Sequence, residues 1–221
     1  MSNADRYQAW ANHYDRERPP HTYLEENTVL QLLNPKPQDQ ILDAACGTGR
    51  YAKLCTEFGA KAAGCDISAD MLNIARLKLP TVEFSEADLN LKLPYGDAQF
   101  DKIVCSLSIR YVENLQFCFS EFRRLLINHG ILVITTIHPE MDWKTYERST
   151  PSTVDVDATA RIFDYRRDSF ERVASETGFA LQSFNEISAD RSIEHLLTAK
   201  SFDLQNGKKY VQAFSFRVAD D

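Results

Sequence analysis

Short apolar runs alternate with segments of helical period from Gln40 to Thr136, and three consecutive runs end on an acid: Asp43, Asp66 and Asp88. Residues 40–44 read as a strand running into a glycine turn. Residues 50–58 read as a helix, with Tyr51, Leu54, Cys55 and Phe58 at core spacing. Residues 61–65 form the next strand, and Ser68 is placed to cap a helix over 69–77 whose first turn carries Asp70. Strands follow at 81–87 and 100–106, the second a nearly continuous apolar run of the kind buried in a parallel sheet. Residues 111–127 read as helix, Asn128-His129-Gly130 as a turn, and 131–136 as a fifth strand. This strand–helix repeat predicts an α/β fold with a parallel, doubly wound sheet and helices on both faces.

The flanks are less regular. Residues 1–34 carry no strand pattern and read as an N-terminal helical cap holding Tyr7, Trp10, His13, Tyr14 and Tyr23. Those rings either fold over a ligand or pack the cap onto the sheet. Residues 140–165 are rich in Pro, Ser, Thr and Asp, and read as a lid or insertion. A helix at 168–177 stopped by Gly178, and strands at 179–187 and 211–218, complete the expected elements. The length of 221 residues suits a single domain over 1–221.

Composition narrows the partners. A net charge of −7 argues against a nucleic-acid ligand, since phosphate binding wants a basic face. No apolar stretch reaches the roughly 18 residues of a membrane span. The five cysteines are odd in number and form no Cys-x-x-Cys pair, which favours reduced thiols in a cytoplasmic protein over a disulfide framework or a metal site.

The segment Gly47-Thr48-Gly49-Arg50-Tyr51-Ala52 matches the dinucleotide pattern G-x-G-x-x-A, with Asp66 at the expected distance. Asp43 argues for a different ligand. A dinucleotide places its pyrophosphate on the helix N-terminus, where a neighbouring carboxylate repels it. S-adenosylmethionine has no phosphate and carries an ammonium, a carboxylate and a sulfonium, so an acid near its amino-acid end is favourable. Asp66 could then accept from ribose hydroxyls and Asp88 from an adenine amino group. Strand-end acids also cap following helices. Three at consecutive strand ends beside a glycine loop favour the ligand role.

The chain resembles the class I S-adenosylmethionine-dependent methyltransferases of the small-molecule branch. The resemblance runs from about Tyr7 to Ile137. It rests on 41–49, on Gly64-Cys65-Asp66-Ile67-Ser68 with Met71, Leu72 and Ala75, on Glu86-Ala87-Asp88-Leu89, on 100–106, and on Gly130-Ile131-Leu132. It implies a seven-stranded, mostly parallel Rossmann-like sheet with an antiparallel last strand, and S-adenosyl-L-methionine as cofactor. Asp43, Gly47 and Gly49 would hold the methionine end, and Asp66 the ribose. Ile67 and Met71 would sandwich the adenine, with Asp88 and the Leu89 backbone at its edge. The Ser106 backbone would touch the methionine amino group, and Tyr14 would close over the cofactor. Ala45 stands where the family often has glycine, and Arg110-Tyr111 where many relatives have His followed by His or Trp.

Methyl transfer by in-line displacement depends on positioning, and oxygen or amine acceptors can also need a base. His138, Arg110 and His13 are the candidates for base or substrate orienter. Their structural alternatives are packing beneath Pro139, pairing with Glu113, and plain exposure. Arg110 suits an anionic or phenolate-like acceptor, and Tyr111, Trp143, Tyr146, Phe163 and Tyr165 could form an aromatic wall. The expected partner is a small-molecule methyl acceptor, with no nucleic acid or membrane, and the expected state a monomer or homodimer. An NAD-dependent oxidoreductase and a non-catalytic S-adenosylmethionine-binding protein are the competing readings.

Overall fold

The computed structural model describes residues 15, 19–141, 161–163 and 165–219. Helix α1 (Pro20–Leu33) starts at a proline, whose missing N–H is no loss in the first turn. Then come β1 (Gln40–Ala44), α2 (Arg50–Glu57), β2 (Lys61–Asp66), α3 (Ala69–Lys78), β3 (Glu83–Glu86) and β4 (Phe100–Cys105). A short 3₁₀ turn at Ile109–Tyr111 leads to α4 (Leu115–Leu125) and β5 (Leu126–Ile137). The C-terminal part supplies α5 (Arg167–Glu176), β6 (Phe179–Ser188), a 3₁₀ stretch at Arg191–Leu196, α6 (Ala199–Gln205) and β7 (Lys209–Val218).

The seven strands form one sheet in the order β3-β2-β1-β4-β5-β7-β6. Pairings from β3 through β5 are parallel, and β7 runs antiparallel to both β5 and β6. Alternate residues of each central strand feed opposite layers. Ile41, Val104 and Val133 pack with Val29 and Leu33 of α1 and Tyr51 and Cys55 of α2. Leu42, Ile103 and Leu132 pack with Phe119 and Phe122 of α4 and Phe170 of α5, where Phe214 and Phe216 of β7 join them. Helices α1 to α3 thus cover one face and α4 and α5 the other. Order reverses between β1 and β4, which opens a crevice at their carboxyl ends.

Several boundaries differ from the sequence reading. The helix expected over 111–127 begins at Leu115, because the Asn114 side chain accepts the Phe117 N–H and caps it there. Asn128-His129-Gly130 lies inside β5, not in a free turn. The register shifts between Phe100 and Lys102 of β4, and β5 bulges to follow it, with His129 at φ 62°. The strand over 81–87 contracts to Glu83–Glu86. The 3₁₀ stretch and α6 were not anticipated. Their packing residues Ile193 and Phe202 meet Tyr210 and Val211 in a small cluster that no local period announces. Of the cap over 1–34, helix is described only from Pro20. His13, Tyr14, Trp143, Tyr146 and most of 140–165 lie outside the described residues. Among the described residues no helix is long and apolar enough to cross a membrane, and none form a metal-binding group. All five cysteines are buried free thiols.

Candidate functional site

The turn from β1 to α2 carries three residues with left-handed backbone: Ala45 at φ 57°, Gly47 at φ 53° and Gly49 at φ 81°. The two glycines serve different ends. A side chain at Gly49 would press against Leu79, Phe84 and Ala75 at 3.2–3.4 Å, so this glycine lets α2 pack onto α3 and β3. A side chain at Gly47 would meet nothing within 4 Å, so space lies open over that residue. Thr48, between them, is fully buried, and its hydroxyl donates to Asp15 at 2.7 Å. Lys78 pairs with the other oxygen of Asp15 at 2.8 Å. The chain just after Tyr14 therefore lies against the glycine loop.

Asp43 and Asp66 reach into the same turn. The Asp43 carboxylate accepts the Ala52 N–H at 2.9 Å. Asp66 accepts the Gly47 N–H at 2.7 Å with one oxygen and the Ser68 N–H at 2.9 Å with the other. Burial pushes the Asp43 carboxyl up from 3.8 to about 7, against the pull of the Ala52 N–H and the Arg50 guanidinium. Burial likewise raises Asp66, offset in part by the Ser68 and Gly47 N–H groups. Asp88 lies two residues beyond β3 and caps a turn, accepting from the Asn90 backbone and side chain, each at 2.9 Å. Met71 is buried beneath the cap made by Ser68, Leu89 is buried, and Ile67 is half-buried.

Ser106, just past β4, belongs to a polar network that sequence reasoning did not find. Glu25 of α1 is fully buried. One of its oxygens accepts from Ser106 at 2.6 Å, from the Arg50 guanidinium at 2.5 Å and from Tyr51 at 3.2 Å. Its other oxygen accepts from Thr135 of β5. These residues stand 25 to 110 positions apart from Glu25, so no local pattern could join them.

The three catalytic candidates fare differently. His138 is buried and follows β5. Its Nδ1 accepts the Glu140 N–H at 3.1 Å, which leaves Nε2 to donate to Glu186 at 2.9 Å. Both ring nitrogens are engaged, so action as a base would first break one of these bonds. Arg110 is buried in the 3₁₀ turn, and its carbonyl accepts the Phe163 N–H at 2.8 Å, while Glu113 pairs with Arg161 at 3.1 Å. His13 lies outside the described residues. Of the aromatic candidates, Phe163 and Tyr165 stack, and the Tyr165 hydroxyl donates to the carbonyls of Val112 and Glu113.

Comparison with known proteins fits this architecture. Residues 42–134 match the family model described as a methyltransferase domain. Over 112 residues the chain is 39% identical to a ubiquinone/menaquinone biosynthesis C-methyltransferase of Campylobacter jejuni, covering 48% of this chain and 47% of that one. Over 130 residues it is 29% identical to a malonyl-[acyl-carrier protein] O-methyltransferase of Enterobacter lignolyticus, covering 58% and 50%. The matches span about half the length of these curated relatives. The fold is similar to that of an S-adenosylmethionine-dependent methyltransferase from Mesorhizobium loti, with TM-score 0.72 and 23% identity over 88% of this chain and 97% of that one. In its matched strands and glycine loop, its sheet order and its acid-lined crevice, the chain is similar to class I S-adenosylmethionine-dependent methyltransferases.

Proposed function

We propose that the protein transfers a methyl group from S-adenosylmethionine to a small-molecule acceptor on oxygen, nitrogen or an activated carbon. One observation carries this reading over a dinucleotide enzyme. The amides of Gly47, in the loop before α2, and of Ala52, in the first turn of α2, are taken by the carboxylates of Asp66 and Asp43. A pyrophosphate needs such N–H groups and an electropositive helix end. Two carboxylates supply the opposite field, and this suits a ligand bearing an ammonium and a sulfonium.

The residues present fit that cofactor. Asp43, Gly47 and Gly49 would hold its methionine end together with the Ser106 backbone. Asp66 would hold the ribose, and Ile67, Met71, Asp88 and Leu89 would frame the adenine. Ala45 would lie behind the methionine end, and Tyr14 would close over it. When bound, S-adenosylmethionine supplies an electrophilic methyl on a sulfonium sulfur. The chain's part is orientation: two carboxylates fixed by backbone amides, and a glycine loop with open space over Gly47. Precise placement of reacting groups can account for roughly 7–11 kcal/mol of a barrier. Arg110 and His138, both at the carboxyl edge, would orient the acceptor. With both ring nitrogens engaged, His138 acts in this reading as a placed hydrogen-bonding group.

The ubiquinone/menaquinone biosynthesis C-methyltransferase supports a small-molecule acceptor methylated on carbon, and the malonyl-[acyl-carrier protein] O-methyltransferase supports methylation on oxygen. The test is binding followed by turnover. Calorimetric titration with S-adenosylhomocysteine should give saturable binding, and NAD should give none. A panel of phenols, carboxylates and amines with methyl-labelled donor should yield a labelled product. Binding of NAD and not of S-adenosylhomocysteine would overturn the reading.

A further inference from the structure

We infer that Glu25, a residue of the N-terminal helix with no part in the chemistry, is the positioning residue that sets the backbone turn after β4 for cofactor binding. The inference rests on the proposed function, in which Ser106 borders the methionine end of the cofactor.

The turn Ser106-Leu107-Ser108 stands at the carboxyl end of β4, beside β1, where the sheet order reverses. Leu107 adopts φ 57°, the left-handed region that a leucine enters only when its surroundings hold it there. The restraints are visible. The Leu107 N–H donates to both the carbonyl and the hydroxyl of Thr135, each at 3.0 Å. That hydroxyl in turn donates its own proton to Glu25. Ser106 on the near side donates to Glu25 at 2.6 Å and receives the Arg50 guanidinium at 3.0 Å. Ser108 closes the turn by donating to the Ser106 carbonyl at 3.0 Å.

One buried carboxylate therefore grips the strained turn at two successive residues, Ser106 directly and Leu107 through Thr135. It also holds Arg50, the first residue of α2, and so locks the turn to the helix that begins at the glycine loop. Arg50 donates as well to the Thr22 carbonyl at 3.1 Å, which seats α1 on the same assembly. A carboxylate suits this centre because it accepts at every position and donates at none. Glutamine in its place would turn an amide group toward hydroxyl and guanidinium donors. It would also remove the 2.5 Å ion pair of Arg50 and leave the more distant Glu26, at 3.8 Å, to face that charge.

The network could instead be a structural ion pair, which would lower stability and leave ligand affinity in the folded protein unchanged. Glu25→Gln, Thr135→Val and Thr135→Ser separate the two roles, with each variant titrated with S-adenosylhomocysteine well below its Tm. Amide exchange at residues 106–108 is followed without ligand. Glu25→Gln and Thr135→Val should weaken S-adenosylhomocysteine by about tenfold or more and speed exchange at Leu107. Thr135→Ser keeps the hydroxyl and should stay within about twofold of wild type. Unchanged affinity and exchange in folded Glu25→Gln and Thr135→Val, beside a wild type that binds, overturns the inference. If Glu25→Gln does not fold, the Thr135 pair decides alone. If the wild type itself fails to bind, the proposed function falls, and unchanged exchange in the variants still overturns the positioning role of Glu25.

Discussion

Ala45 holds the left-handed conformation at φ 57°, beside two glycines that hold it without strain. For an L-residue that region costs about 1–2 kcal/mol, and glycine there gives back roughly 0.4–1 kcal/mol through the freedom it adds to the unfolded chain. Ala45→Gly should therefore stabilise the protein by up to about 1 kcal/mol, seen as a Tm rise of roughly 1–4 °C. A lower Tm would mean that the methyl group's packing outweighs the backbone strain. The sequence marked this position only as an oddity in a glycine-rich turn. The sign of φ came from the structure.

Asp43 makes a second prediction through its proton. Its folded carboxyl titrates at about 7 and its unfolded one at 3.8, so between those values the folded chain keeps a proton that the unfolded chain has lost. On this account stability falls as pH rises from about 4 to about 7 and is level above that. Asp43→Asn should flatten this slope in a series of thermal melts. A cationic ligand favours the ionised carboxylate, so S-adenosylmethionine should bind more tightly at about pH 8 than at about pH 6, and the gain should vanish in Asp43→Asn.

Helices and strands with strong local signals fell within a residue or two of their expected ends. The cap at Ser68 is one such signal, and its hydroxyl accepts the Met71 N–H at 3.3 Å. Arg50 and Gly49 mark the start of α2 just as plainly. Helix α4 shows the limit. The apolar spacing runs back past Leu115 to Tyr111, but the Asn114 side chain stops the helix there, and the residues before it wind into a 3₁₀ turn. Asn114→Ala should cost about 1 kcal/mol and lower Tm by roughly 2–4 °C. No change in Tm would show that packing of Leu115 and Phe119 alone holds the helix start. The stretch Arg191–Leu196 and helix α6 left no periodic trace, because they are short and owe their shape to Tyr210 and Val211 beneath them.

The assembled sheet makes one crevice from strand ends that lie far apart in the chain. Ligand binding there should stabilise the fold as a unit. At a hundredfold excess over Kd, S-adenosylhomocysteine should add about 2.7 kcal/mol, a Tm rise of roughly 5–11 °C, while NAD should leave Tm unchanged. A rise with NAD alone would favour the oxidoreductase. Phe214 lies at the centre of the layer under α4 and α5, in contact with Phe170, Phe184 and Phe216. Phe214→Ala should cost about 3–5 kcal/mol in chemical denaturation. A cost under about 1 kcal/mol would mean that the β7 layer is not part of the cooperative core.

The alternation of strand and helix, the glycine turn and the strand-end acids are local patterns. They depend on residues a few positions apart, and this made the fold class legible in the sequence and singled out the residues proposed to hold the cofactor. What the acids touch was not legible. Asp43, Asp66 and Asp88 all accept backbone amides of their own chain, and His138 has both nitrogens occupied by Glu140 and Glu186. The Glu25 network joins α1, α2, β4 and β5 across up to 110 residues. A buried carboxylate's partners are chosen by which side chains the fold brings within hydrogen-bonding reach and leaves without water. Periodicity decides which face of an element is buried, but only the closed sheet and its layers decide which polar groups meet there.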